Sequence, residues 1–195
     1  MHPDISQLPS RVFYRGLLKD GPDMVEKTAR PWHESNIFGP YKFFNILRGQ
    51  ETTGSHHSLL NKAEVQVAVA LYARLLKEFD SVDFNFRVGI VSMYRAQIQE
   101  LRRAFEARFG VDVASHVDFN TVDGFQGQEK DIIILSCVRA GPGLQSVGFL
   151  SGTPRTLLDH TELTQPRCSA DERCVNPRPS LSVCIGPLPH PGAKR

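Results

Sequence analysis

The sequence predicts an α/β fold built on a parallel sheet, and three observations carry that prediction. Apolar runs without polar alternation lie at 87–93 (RVGIVSM) and 132–135 (IIIL), the pattern of strands buried on both faces. Stretches of helical periodicity lie at 61–79 and 94–109; strands separated by helical patterns imply a parallel sheet with helices on both faces. A tight polar loop with two glycines, Gly124 and Gly127, runs straight into the second apolar run.

The elements follow in order. Residues 41–47 (YKFFNIL) read as a short apolar strand. Asn61 is placed to cap a helix running to about Phe79, with Val65, Val69, Tyr72, Leu76 and Phe79 keeping the 3.6-residue period of one buried face. Arg87 to Met93 is a second strand, and a basic amphipathic helix follows from Tyr94 to Phe109, with Ile98, Leu101 and Phe105 inward. Val117 to Thr121 is a short strand before the loop, and Asp131 to Val138 is the last. Residues 1–150 are therefore expected to fold as one unit. Beyond it the character changes. Eight of the thirteen prolines lie between Pro142 and Pro191, and no Phe, Tyr or Trp follows Leu150. Without aromatics or periodic apolar positions a segment cannot offset its ordering entropy, so 151–195 is expected to be a disordered tail.

Composition sets the limits. A length of 195 residues with 41% hydrophobic content allows one ordinary domain with a real core plus an appendage. A net charge of +2 is nearly neutral, so only local patches could argue for nucleic acid. No run of eighteen apolar residues occurs, so no membrane span is expected. The start, MHPDI, has neither the basic nor the apolar region of a secretory signal. Four irregularly spaced cysteines are no disulfide framework and point to reduced, intracellular thiols. Cys168, Cys174 and Cys184, with His160 and His190, lack the paired spacing of a zinc site, and no metal is expected.

The loop reads as a ligand site. Glycines let backbone approach a ligand closely, and Gln126, Gln128, Glu129 and Lys130 supply polar contacts. A helix starting at Tyr94 offers free backbone N–H groups and a positive dipole end to a phosphate; Ser92 can donate to the same oxygen and Arg95 adds charge. Thr121, ending its strand beside the loop, is a second phosphate donor. Blander readings compete: Tyr94 and Arg95 as cap and solvated surface, Glu129 as a carboxylate paired with Lys130, Gln126 as loop structure. Arg102, Arg103 and Arg108 read as an ordinary solvated face, and His2, beside Pro3, as a structural or capping residue. Residues 21–28 (GPDMVEKT) imitate a phosphate loop, but Glu26 stands at the second glycine, no buried strand precedes it and Pro31 follows closely.

The block 121–139 (TVDGFQGQEKDIIILSCVR) resembles the motif that couples nucleotide to strand in superfamily 1 helicases of the senataxin-like branch. Three further segments agree in order and spacing. Residues 1–5 (MHPDI) resemble the motif opening the second RecA-like domain; RPWH at 30–33 with PYKFF at 40–44 resembles the connection into the next strand; VGIVSMYRAQ at 88–97 resembles the strand–loop–helix that contacts the nucleic-acid backbone, with Met93 in place of the usual Pro. The resemblance covers residues 1 to about 150 and implies a RecA-like domain. It implies nucleotide contacts from Gly127, Glu129 and Gln126, and nucleic-acid contacts from Ser92, Tyr94, Arg95 and Thr121. It further implies ATP and Mg²⁺ as cofactors of the whole machine, single-stranded RNA or DNA or an RNA:DNA hybrid as partner, a first RecA-like domain as the other wall of the ATP site, and a nuclear location.

The sequence departs from the pattern at both ends. It holds no phosphate loop and no acidic magnesium-binding pair, and the arginine that should precede MHP is absent. After SVGFL at 146–150 it reads SGTPRTLL instead of the expected strand and helix carrying a second arginine finger. Such a domain would be incomplete at its C-terminal end, and this chain alone is not expected to hydrolyse ATP. A retained intron or shifted frame near Ser151, with an internal methionine taken as the start, would explain both departures. The alternatives to a helicase-domain fragment are a stand-alone single-strand-binding or interaction module and a non-functional truncated product.

Overall fold

The computed structural model describes residues 2–54, 57–139 and 183–185. It begins with helix α1 (Pro3–Phe13), the one-turn helix α2 (Met24–Thr28) and a 3₁₀ turn at Pro31–Glu34. Strand β1 (Lys42–Phe44) and a small hairpin of β2 (Thr52–Thr53) and β3 (Leu59–Leu60) lead into helix α3 (Lys62–Glu78). Then come β4 (Val88–Ser92), α4 (Arg95–Phe109), α5 (Val113–His116), β5 (Val117–Thr121) and β6 (Ile132–Ser136), with β7 (Val183–Ile185) last. The tail expected beyond residue 150 lies outside the described residues apart from β7.

The main sheet has the order β1-β7-β6-β4-β5. Its centre is parallel: β4 pairs with β5 from Val88↔Val117 to Ser92↔Thr121, and with β6 from Val88↔Ile132 to Ser92↔Ser136. The strands at 88–92, 117–121 and 132–136 thus lie inside the segments expected from their apolar runs. β7 joins antiparallel, between β6 and β1.

The pleat sends alternate residues of the parallel strands to opposite faces. Val88, Ile90, Val117, Phe119, Ile132 and Ile134 belong to the main core with α3 and α4. Tyr72 and Phe105 lie 5.3 Å apart between ring centroids, and Phe105 meets Phe119 edge-on at 5.2 Å. The other face carries Val91 and Ile133, with Phe125 packed on them and Leu135 alongside. Because β5 and β6 flank β4, their connection must cross β4, and the loop 122–131 makes that crossing. Gly89 leaves the room: a Cβ there would stand 2.9 Å from the Phe125 ring.

Helix α3 buries Val65 and Tyr72 of its expected face and packs Val69 and Phe79 against the core, but its buried stripe is wider than expected. Asn61 caps it as predicted, its Oδ1 accepting from the N–H groups of Ala63 (3.2 Å) and Glu64 (3.4 Å). The buried stripe, however, is Glu64, Val65, Ala68, Leu71, Tyr72 and Leu75, while Leu76 is 37% exposed. The stripe also takes in Glu64, a charged residue that hydrophobic periodicity passes over, fully buried in a set of hydrogen bonds described below.

His2 is a capping residue: its Nδ1 accepts from the Asp4 N–H at 3.2 Å at the start of α1. The decoy at 21–28 is preceded by α1 and a turn, not by a strand, and contains only the five residues of α2. No helix among the described residues is long and apolar enough to cross a membrane.

Candidate functional site

The parallel strands end together, and their ends bring most of the expected nucleic-acid residues to one edge. Ser92 and Thr121 are register partners at the C-terminal ends of β4 and β5. Two residues after Ser92, Tyr94 caps α4, and Arg95 opens it with its side chain exposed. Loop and helix signals after the strands place these four residues on one rim because parallel strands present all their exits on the same side.

The rim differs from expectation in how its donors are used. Ser92 is fully buried, and its Oγ accepts from the Tyr94 N–H (3.3 Å). The Ala96 N–H donates to Ser58 Oγ at 3.1 Å, from just before β3. Two amides at the mouth of α4 that sequence reasoning left free for a phosphate are therefore already hydrogen-bonded by serines. Ser58 was invisible to that reasoning, since nothing local ties the β2–β3 hairpin to a helix 38 positions away. Tyr94 is also buried, which pushes its hydroxyl pKa up, while the charge and hydrogen bond of Arg139 pull the other way. Arg139 in turn pairs by charge with Glu51 at 3.4 Å. Arg95 and the half-exposed Thr121 remain the accessible polar groups of the four.

The nucleotide-side residues occupy a different place. Thr121 Oγ1 accepts from the Gly124 N–H (3.3 Å) and its carbonyl accepts from the Phe125 N–H (2.9 Å), turning the chain back over the sheet. Phe125 then anchors the loop, leaving Gln126, Gly127 and Gln128 exposed above it. Gly127 has φ 83°, a left-handed conformation that glycine adopts without Cβ strain. Past Glu129, Lys130 donates to the Phe86 carbonyl (2.7 Å) and pairs with Asp118, both before or at the starts of β4 and β5. Asp131 binds Arg87 (2.5 Å) and Arg30 (3.5 Å). Gln126, Gly127 and Glu129 thus lie along the crossing toward the strand entries, while Ser92, Tyr94, Arg95 and Thr121 lie at the exits. Lys130, the residue expected to pair with Glu129, is held by Asp118 and the Phe86 carbonyl.

A second polar group went unrecognised in the sequence. Asn61, Glu64, Gln97 and Ser136 are all buried to 1% exposure or less. Ser136 Oγ donates to Glu64 Oε2 (2.6 Å), as does the Val138 N–H (3.0 Å), and Asn61 Nδ2 donates to Glu64 Oε1 (3.2 Å). Gln97 Nε2 donates to Ser136 Oγ (2.8 Å) and to the Asn61 carbonyl (3.2 Å), while its Oε1 accepts from the Asn61 N–H (2.8 Å). Burial raises the Glu64 pKa, and the bonds from Ser136, Val138, Cys137 and Asn61 oppose that rise. A signal existed: Asn-x-x-Glu at 61–64 is a capping-box spacing. What it could not reveal was that Glu64 would reach inward to Ser136 on β6 while the Asn61 N–H goes to Gln97 instead.

Arg103 pairs with Glu100 (3.3 Å) on the exposed face, while Arg102 and Arg108, expected to be simply solvated, sit over the rings of Phe119 (5.4 Å) and Phe109 (5.7 Å). Among the described residues no cluster of His, Cys, Asp or Glu could hold a metal ion. Cys168, Cys174, His160 and His190 lie outside the described residues, as does the side chain of Cys184.

Comparison with known proteins agrees with the geometry. The family described as "AAA domain" matches residues 1–157. Helicase SEN1 of Saccharomyces cerevisiae is 49% identical over 152 residues, covering 77% of this chain and 7% of that protein. Probable helicase MAGATAMA 3 of Arabidopsis thaliana is 41% identical over 157 residues, 80% of this chain and 19% of that protein. Probable helicase senataxin of Mus musculus is 35% identical over 156 residues, 80% of this chain and 6% of that protein. The chain therefore spans less than a fifth of each of these relatives.

Proposed function

The chain belongs to the AAA-domain family as a senataxin-like superfamily 1 helicase domain, and on that premise we propose that it is the second RecA-like domain of an ATP-dependent RNA/DNA helicase. Its strand exits hold the backbone of a single strand, and its crossing loop forms one wall of an ATP site completed by a first RecA-like domain. The observation that carries this reading is the register of Ser92 with Thr121 beside the exposed Arg95 at the mouth of α4.

In this reading Arg95 and Thr121 touch backbone phosphates directly. Ser92 and Tyr94 act from beneath, fixing the turn that presents Arg95. Gln126, Gly127 and Glu129 face nucleotide along the loop. When bound, Mg²⁺ would neutralise charge on the phosphates of ATP; the acidic pair that would hold it is not among these 195 residues. A polypeptide of this sequence alone therefore binds strands without turning over ATP, and its site of action is the nucleus.

The test is fluorescence anisotropy with a single-stranded oligonucleotide over a salt series. We expect weak, salt-sensitive binding, with Arg95→Ala lowering the salt slope by about one and Thr121→Ala weakening binding a few-fold. Equal affinity for wild type and both variants would sink the assignment. ATP hydrolysis above background, lost on Glu129→Gln, would overturn the view of the isolated chain. A tagged chain excluded from nuclei would count against the location.

A further inference from the structure

Val138 is buried to 0% exposure, yet its φ is 70°. A β-branched residue in the left-handed region is strained, and it persists only where its surroundings over-determine it. Here they do. The Val138 N–H donates to Glu64 Oε2 (3.0 Å), and its carbonyl accepts from Asn61 Nδ2 (3.2 Å). The two peptide units that flank the strained Cα are thus both gripped from the N-cap and first turn of α3. The next residue is Arg139, which meets Glu51 and the Tyr94 side chain beside the mouth of α4.

We propose that Glu64, with Asn61, is a positioning residue of the strand-exit rim: it clamps Val138 in its left-handed turn, and that turn delivers Arg139 to Tyr94 and so sets the first turn of α4 that presents Arg95. The inference rests on the reading of the rim as a nucleic-acid contact. Gln97 supports it independently. Its amide bridges Asn61 and Ser136 and lies in the first turn of α4. The same buried group therefore holds the exit of β6 and the turn at issue. Without the clamp, nothing repays the left-handed backbone; Val138 relaxes, and Arg139 leaves Tyr94.

Glu64→Leu tests this, because it removes both carboxylate oxygens at a similar side-chain size. Glutamine would not serve: its one oxygen, set in the place of Oε2, goes on accepting from Ser136 Oγ and the Val138 N–H. Two measurements decide. Amide hydrogen exchange of the 195-residue chain should show the Val138 N–H exchanging about tenfold faster or more in Glu64→Leu, while Ile134 in β6 stays protected; unchanged protection at Val138 overturns the clamp whether or not the chain binds strands. Anisotropy with the same single-stranded oligonucleotide should show binding about tenfold weaker in Glu64→Leu, the size set by the cost of a strained residue. Adding Val138→Gly, which adopts φ 70° without Cβ strain, should recover most of that loss, and Val138→Asn is the second variant should glycine loosen the core. Failure of both double variants to recover binding, in chains that still melt cooperatively, would make Glu64 merely structural. If wild type itself binds no strand, the reading of the rim as a nucleic-acid contact fails and the exchange result alone judges the clamp.

Discussion

Strand β4 has polar company on both sides, and the two groups differ in every physical respect. On one side Asn61, Glu64, Gln97 and Ser136 are buried and hydrogen-bonded to one another. On the other, Gln126, Gly127 and Gln128 stand exposed on a loop fastened by Phe125 and Lys130. Buried polar groups are tolerated when their bonds are made and become costly when one partner is lost. Exposed ones cost the fold little and are free to meet a ligand. The buried group therefore specifies architecture, and the exposed loop is available for chemistry.

The sharpest way to break this contrast is Glu64→Ala. It strands Ser136 Oγ, the Val138 N–H and Asn61 Nδ2 at once, and we expect a loss of about 3–5 kcal/mol in urea unfolding. A loss below about 1 kcal/mol would show that the buried group does not hold the fold. Gly89→Val attacks the fastening of the loop. Its side chain must displace Phe125 and Ile133, and overpacking of this kind costs about 1–3 kcal/mol. Looser exchange protection confined to 122–130 would accompany it.

A third test uses pH. Both ring nitrogens of His33 are buried without a hydrogen-bond partner, and burial, then His2 and Arg30, lowers its pKa from 6.5 to about 4. The folded state thus binds fewer protons than the unfolded state between those values. The contribution is complete above pH 6.5 and is lost as pH falls toward 4, by about 1–3 kcal/mol. Glu64 acts in the opposite sense, because its raised pKa favours the protonated carboxyl and its contribution declines as pH rises above 4.5. Denaturant unfolding of wild type and His33→Phe at pH 7 and pH 4.5 separates the two; the variant should show the smaller acid loss. Equal losses would refute the assignment to His33. The smallest effect belongs to the exposed loop: Gln126→Ala should leave stability within about 0.5 kcal/mol, and a larger loss would place Gln126 with the architecture instead.

The legible parts of the fold were those written in neighbouring residues. The cap at Asn61, the strands at 88–92, 117–121 and 132–136, and the inward positions Ile98, Leu101 and Phe105 follow from local pattern. Less legible was helix α1, whose buried residues are Ser6 and Ser10 while Leu8, Phe13 and Tyr14 are exposed, the reverse of the apolar-inside rule on which sequence reading depends. The hairpin of β2 and β3 has two-residue strands, too short to carry a period.

The candidate site divides in the same way. Thr121, the glycine loop and the start of α4 were visible as residue types in order. That Ser92 would be buried, and that Ser58 would already bond the Ala96 N–H, was not.

By itself the sequence determined the parallel α/β core and the family, because periodicity and motif order are properties of adjacent residues. Only the tertiary structure decided which polar residues are spent inside and which face outward. Ser58 to Ala96, Asn61 to Gln97 and Glu64 to Val138 are bonds between residues 36 to 74 positions apart. A hydrogen bond depends on distances of about 3 Å, and no local pattern encodes a distance between elements that meet only on folding.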